Sequence, residues 1–95
     1  MNKYEITFII KPDKEEKEIK SIFEEAKKSL TNSKAKVLEE KELGQKELAY
    51  EIKKYKTGYY NLLVVEASKE TIKEFDRMAR INENILRHLI VKVDE

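Results

Sequence analysis

The sequence predicts an α+β domain, a four-stranded antiparallel sheet with two helices packed on one face. Three observations predict it. Four segments carry apolar residues in alternation or in short runs bounded by turn residues. Two highly charged segments carry apolar residues at helical spacing. Their order is strand, helix, strand, strand, helix, strand, the split β-α-β arrangement of the ferredoxin-like fold. The 95 residues suffice for one domain, 1–95, with a modest core.

Lys3 to Ile10 places Tyr4, Ile6, Phe8 and Ile10 on one face of a strand and Lys3, Glu5, Thr7 and Ile9 on the other. Pro12 ends it, because proline cannot donate to a ladder. Asp13, with Glu16 three residues on, predicts a capping box at a helix start. Ile19, Ile22, Phe23, Ala26 and Leu30 form one apolar stripe, and Glu16–Lys20 and Glu24–Lys28 are candidate i,i+4 pairs on the solvated face. Thr31-Asn32-Ser33 closes the helix.

Val37 to Leu43 predicts a charged second strand, guarded by that charge against edge-to-edge pairing. Gly44 predicts a bulge or bend, after which the strand resumes through Ile52. A lysine-rich turn leads to a third strand, Gly58 to Ala67, whose run Leu62-Leu63-Val64-Val65 predicts a central position. Ser68 caps a second helix with the inner stripe Ile72, Phe75, Met78 and Ala79. After Asn82-Glu83-Asn84, Ile85 to Val93 is the last strand, with Leu89, Val91 and Val93 opposite His88, Ile90 and Lys92. The helices cover one sheet face and leave the other available to a partner.

Charge is abundant but balanced: 41% of residues are charged and the net charge is +1. Gross charge therefore does not mark a nucleic-acid protein, and phosphate binding requires local segregation. The lysines and acids of 1–40 cancel, whereas 41–60 carries five lysines against three acids. The three arginines, Arg77, Arg80 and Arg87, fall within eleven positions. Arginine presents a fixed fork of donors that suits phosphate.

Catalytic chemistry finds little support. His88 is the single histidine and is read as a strand residue on the open sheet face. Adjacent glutamates on a solvated helix do not provide two carboxylates facing each other across a substrate. Two glycines cannot build a phosphate loop, and no cysteine supplies a thiolate. No enzyme activity, cofactor, metal or small-molecule substrate is expected. No apolar run approaches the about 20 residues that cross a bilayer, and no signal peptide is evident, so a soluble intracellular protein without membrane association is expected. Tyr50, Tyr59 and Tyr60 lie on the hairpin formed by the middle strands, placed either to pack with their hydroxyls at the rim or to stack on bases.

Several motifs in order resemble one family. They are Lys3-Tyr4-Glu5-Ile6, Lys11-Pro12-Asp13, Leu43-Gly44 through Leu48-Ala49-Tyr50 and Ile52-Lys53-Lys54, Gly58-Tyr59-Tyr60, Val65-Glu66-Ala67, and Arg80 to Ile85 followed by Arg87 to Lys92. Together they resemble the bacterial small-subunit ribosomal protein S6 family over nearly the whole chain. The resemblance implies a cytoplasmic, ribosome-associated structural protein that binds small-subunit (16S) rRNA as a heterodimer with ribosomal protein S18. The chain departs from the family pattern at Asn2, at Gln45 and Glu47 around Lys46, and at Glu51. These departures weaken phosphate attraction at the hairpin.

The expected RNA-backbone contacts are Lys3, Lys46, Arg80, Arg87 and Lys92, with Tyr4 and Tyr50 either stacking or packing. First and last strands are neighbours in this fold, so Lys3 and Lys92 are expected to share one basic edge. The rest of the open face is expected to take the protein partner. The alternatives are a ferredoxin-like regulatory domain or a free RNA-recognition module outside the ribosome.

Overall fold

The computed structural model describes residues 2–93. The elements are β1 (Asn2–Ile10), α1 (Glu16–Asn32), β2 (Lys36–Ile52), β3 (Tyr55–Ala67), α2 (Lys69–Ile81) and β4 (Ile85–Val93). The sheet order is β2-β3-β1-β4 and every neighbouring pair is antiparallel. This is the expected ferredoxin-like topology, with β1 and β3 central.

The period-two pattern of β1 sends Tyr4, Ile6, Phe8 and Ile10 into the core beneath the helices. The apolar stripe of α1 and the residues Ile72, Phe75 and Ala79 of α2 close over them. Phe8 and Phe23 stack with ring centroids 6.0 Å apart. Burying a side chain such as Phe8 or Phe75 contributes about 1.5–3 kcal/mol. Val64, on the outward side of β3, is also buried, as its continuous apolar run predicts.

The helix ends differ from each other. Ser68 caps α2, its side chain accepting a hydrogen bond from the Thr71 amide at 3.2 Å. The start of α1 has no such cap. Glu15 occupies the cap position without a side-chain hydrogen bond, and Asp13 accepts instead from the Tyr55 hydroxyl at 2.6 Å. The expected capping box at Asp13 is thus replaced by a tie between this loop and the β2–β3 hairpin. The expected pairs Glu16–Lys20 and Glu24–Lys28 do not form. Lys27 bridges Glu24 and Glu40 instead, joining α1 to β2.

Gly44 lies where the pairing of β2 with β3 shifts register, and its φ of +89° is accessible to glycine at low cost. The strand runs on to Ile52. A two-residue turn, Lys53-Lys54, then reverses the chain with positive φ at both positions.

Candidate nucleic-acid interface

The face without helices is built by the residues of β1 that point away from the core. Lys3, Glu5, Thr7 and Ile9 lie opposite Glu66, Val64, Leu62 and Tyr60 of β3. On the other side the same four lie opposite Val93, Val91, Leu89 and Arg87 of β4. Strand β2 adds Lys36, Glu39 and Lys41, then Gly44 and Lys46 nearer the hairpin.

The two ends of this face differ in charge. Around Lys3 the cations Lys3, Lys36 and Lys41 are matched by Glu5, Glu39 and Glu66, with Lys41 3.2 Å from Glu39. Around Ile9 the outward side chains are Tyr60, Arg87, Leu89 and Lys46, with no acid among them. The segregation that net charge conceals is therefore present along the strand direction.

The hairpin shapes the second end. Strand β1 stops pairing with β3 at Tyr59, so the hairpin continues past the sheet and arches over it. A Cβ on Gly58 would lie 2.3 Å from Ile9 Cγ2 and 3.7 Å from Leu48 Cδ2. Glycine is required there by contact, and the close approach leaves the outward-pointing Ile9 only 7% exposed. Beyond Leu48, the Tyr50 ring centroid is 5.6 Å from the Arg87 guanidinium carbon. Lys46 Nζ lies 5.9 Å from the Tyr60 ring centroid. Such cation–π contacts are worth about 0.5–1 kcal/mol at exposed sites. Thr7, Ile9, Tyr60, Arg87, His88 and Leu89 line a depression of about 280 Å³ beneath.

Pairing separates the arginines. Arg77 is bound by Glu74 and Arg80 by Asp76, both on α2. The Arg77 guanidinium holds the Glu74 carboxyl below its usual range. Asp76 is held low first by its hydrogen bond from His88, at 2.6 Å, and then by Arg80. Among the described residues, neither Arg87 nor Lys46 has an acidic partner.

Of the sequence-predicted site residues, Lys46, Tyr50 and Arg87 come together at the hairpin end. Lys3 shares their face but lies six residues along β1 from Ile9, roughly 20 Å at strand rise. Lys92 pairs with Tyr4 and faces the helix-covered side, whereas Lys3 pairs with Val93. The expected shared edge of Lys3 and Lys92 is thereby corrected: residues one register step apart point to opposite faces. Tyr4 is 7% exposed within the core and offers no ring to a base. Arg80 is exposed in the helical layer, away from the open face. His88 sits on the helix side opposite Phe8, bonded to Asp76, and not on the open face as expected. Tyr60 belongs with the cluster, and the alternation of Tyr59 and Tyr60 was the signal that one of them points outward.

These features define an α+β domain of the ferredoxin-like class whose second sheet face is left uncovered by its helices. The chain belongs to the ribosomal protein S6 family, whose sequence model matches residues 3–92. It is similar to the 30S ribosomal protein S6 of Thermotoga maritima, with 28% identity and a TM-score of 0.92 over 97% of this chain and 87% of that one. Membership makes it a ribosomal protein, of a structural and not a catalytic class.

Proposed function

We propose that this protein is a structural constituent of the small ribosomal subunit and binds small-subunit rRNA jointly with ribosomal protein S18. Family membership and the name of its structural relative support the subunit. The observation that carries RNA binding is the end of the open face near Ile9, where Lys46 and Arg87 rest on tyrosine rings and, among the described residues, form no ion pair. Lys46 and Arg87 grip the RNA backbone. RNA following the β4 edge also meets Lys92 on the reverse side, and Arg80 on α2 near His88. Lys3 contributes from the far end of the face.

That far end suits the protein partner. Glu5, Glu39 and Glu66 offer carboxylates to a basic chain, beside the exposed Val91. A protein of net charge +1 neutralises few phosphates alone, so a basic partner supplies the missing electrostatics. The protein then works in the cytoplasm as part of the ribosome.

The test is co-sedimentation with small subunits at moderate salt, followed by rRNA binding with and without S18. We expect retention on the subunits, weak binding alone and much tighter joint binding. Absence from the subunit peak removes this reading and leaves a regulatory domain outside the ribosome. Tight binding without S18 removes the joint mechanism.

A further inference from the structure

We infer that the depression between Tyr60 and Leu89 is a receptor for one unstacked nucleotide, its base on the apolar floor and its phosphate on Arg87. This rests on the RNA-binding reading above and specifies the form of RNA that this end of the face takes.

The floor is mostly apolar, with Thr7 and His88 as its polar members. Ile9 lies beneath the hairpin, Leu89 is 61% exposed on β4, and Tyr60 and Arg87 flank Ile9 on the neighbouring strands. At about 280 Å³ the space falls just below the roughly 300–1,000 Å³ of sites for drug-sized ligands. It therefore accommodates a single base and not a run of them. A duplex buries the faces of its bases, so it can offer this floor phosphates, sugars and base edges but no flat ring. An extruded nucleotide offers a flat ring and an anion together, which matches the pairing of an apolar floor with unspent cations.

The two cations are held ready. Among the described residues Arg87 pairs with no carboxylate and lies against the Tyr50 ring, and Lys46 lies over Tyr60 in the same way. A donor ordered before binding loses less freedom when the ligand arrives. Tyr50 thus acts as a positioning residue for Arg87, and Tyr60 is the ring against which the base packs. The hairpin tie from Tyr55 to Asp13 keeps Tyr50 within reach.

The test titrates the full-length protein with a short single-stranded RNA, the same strand carrying abasic sites, and a duplex of the same sequence. Tyrosine ring resonances report stacking, unobscured because the chain has no tryptophan. We expect the Tyr60 ring signals to shift with the single strand and stay in place with the duplex and the abasic strand. Tyr60→Leu weakens single-strand binding roughly tenfold, a stacking contribution of ordinary size, while Tyr60→Phe retains it. Tyr50→Phe likewise retains binding, and Tyr50→Leu weakens it. Equal binding of single strand, abasic strand and duplex, with loss only in Arg87→Ala and Lys46→Ala, overturns the base receptor and leaves phosphate binding intact. No effect of Arg87→Ala and Lys46→Ala overturns the RNA reading of this face as well. If S18 without RNA shifts the Tyr60 signals and abolishes those produced by the single strand, the depression belongs to the protein partner and the inference fails.

Discussion

Two glycines illustrate how one residue type answers two different physical demands. Gly44 has nothing within 4 Å of a built Cβ but sits at φ +89°, so Gly44→Ala is opposed by backbone conformation alone, at about 1 kcal/mol. Gly58 has an unremarkable φ but a Cβ there would meet Ile9 Cγ2 at 2.3 Å. Gly58→Ala must push the hairpin away from Ile9, and we expect a loss of about 1–3 kcal/mol in urea unfolding. Ile9→Ala in the same chain should recover part of that loss, and strict additivity of the two changes would show that the contact is not its cause. Asp76 poses a charge problem. Its folded carboxyl pKa lies below the ordinary 3.8, because His88 and Arg80 stabilise the carboxylate. A carboxyl depressed on folding contributes stability above its unfolded pKa, and that contribution disappears as pH falls through the lower folded value. Asp76→Asn should therefore cost about 1 kcal/mol at neutral pH, discounted for partial exposure, and nothing once pH lies well below 3.8. Unfolding midpoints of both proteins across pH 2–7 check this, and a constant gap would contradict it.

At the scale of elements, the ends of segments hold more unused stability than their interiors. Helix α1 closes with a pair of backbone bonds, Ala35 N–H to Leu30 O at 3.0 Å and Lys34 N–H to Thr31 O at 3.1 Å. This is the Schellman pattern, and its left-handed position is Lys34 at φ 69°, where glycine is usual. Lys34→Gly should raise the unfolding free energy by about 0.5–1 kcal/mol, seen as a higher urea midpoint with an unchanged m-value. It lies far in sequence from the hairpin and should leave RNA affinity unaltered. Lys53 and Lys54 carry the same strain in the hairpin turn, at φ 49° and 72°. Such placements mark the limit of what was legible in the sequence. Strand and helix order was readable because period two and the helical stripe are local to each segment. The split of charged cluster from core was only half readable. Arg80 was expected on the RNA, although the helical spacings of Asp76–Arg80 and Glu74–Arg77 held the signal that the structure bears out, both arginines being paired on α2. The opposition of Lys3 and Lys92 was hidden because it depends on inter-strand register, which no single strand's alternation contains. The reach of Tyr50 to Arg87 was hidden because it depends on how far the hairpin arches past β1.

For the whole molecule, the question is how a chain with 20 basic and 19 acidic residues would bind a polyanion, as proposed above. The fold answers by sorting charges along the strands: acids and lysines alternate at the end near Lys3, whereas the outward side chains near Ile9 are the cations Lys46 and Arg87 with Tyr60 and Leu89. Some acids elsewhere are spent on partners, as Glu40 and Glu24 are on Lys27, whose ammonium they hold above its usual pKa. Salt dependence measures the result directly. Each neutralised phosphate of a single strand adds about 0.7 to the slope of log affinity against log salt. Lys46→Ala with Arg87→Ala should therefore lower the slope for single-stranded rRNA by about 1.4, whereas Lys36→Ala, opposite Glu66 at the compensated end, should leave it unchanged. If the proposed joint binding holds, adding S18 should steepen the slope for the wild-type protein, because a basic partner would bring new cations to the phosphates. Equal losses from Lys36→Ala and from the pair at the hairpin end would mean that the protein meets RNA as a diffuse charge, and the sorted face would then have no part in where the RNA lies.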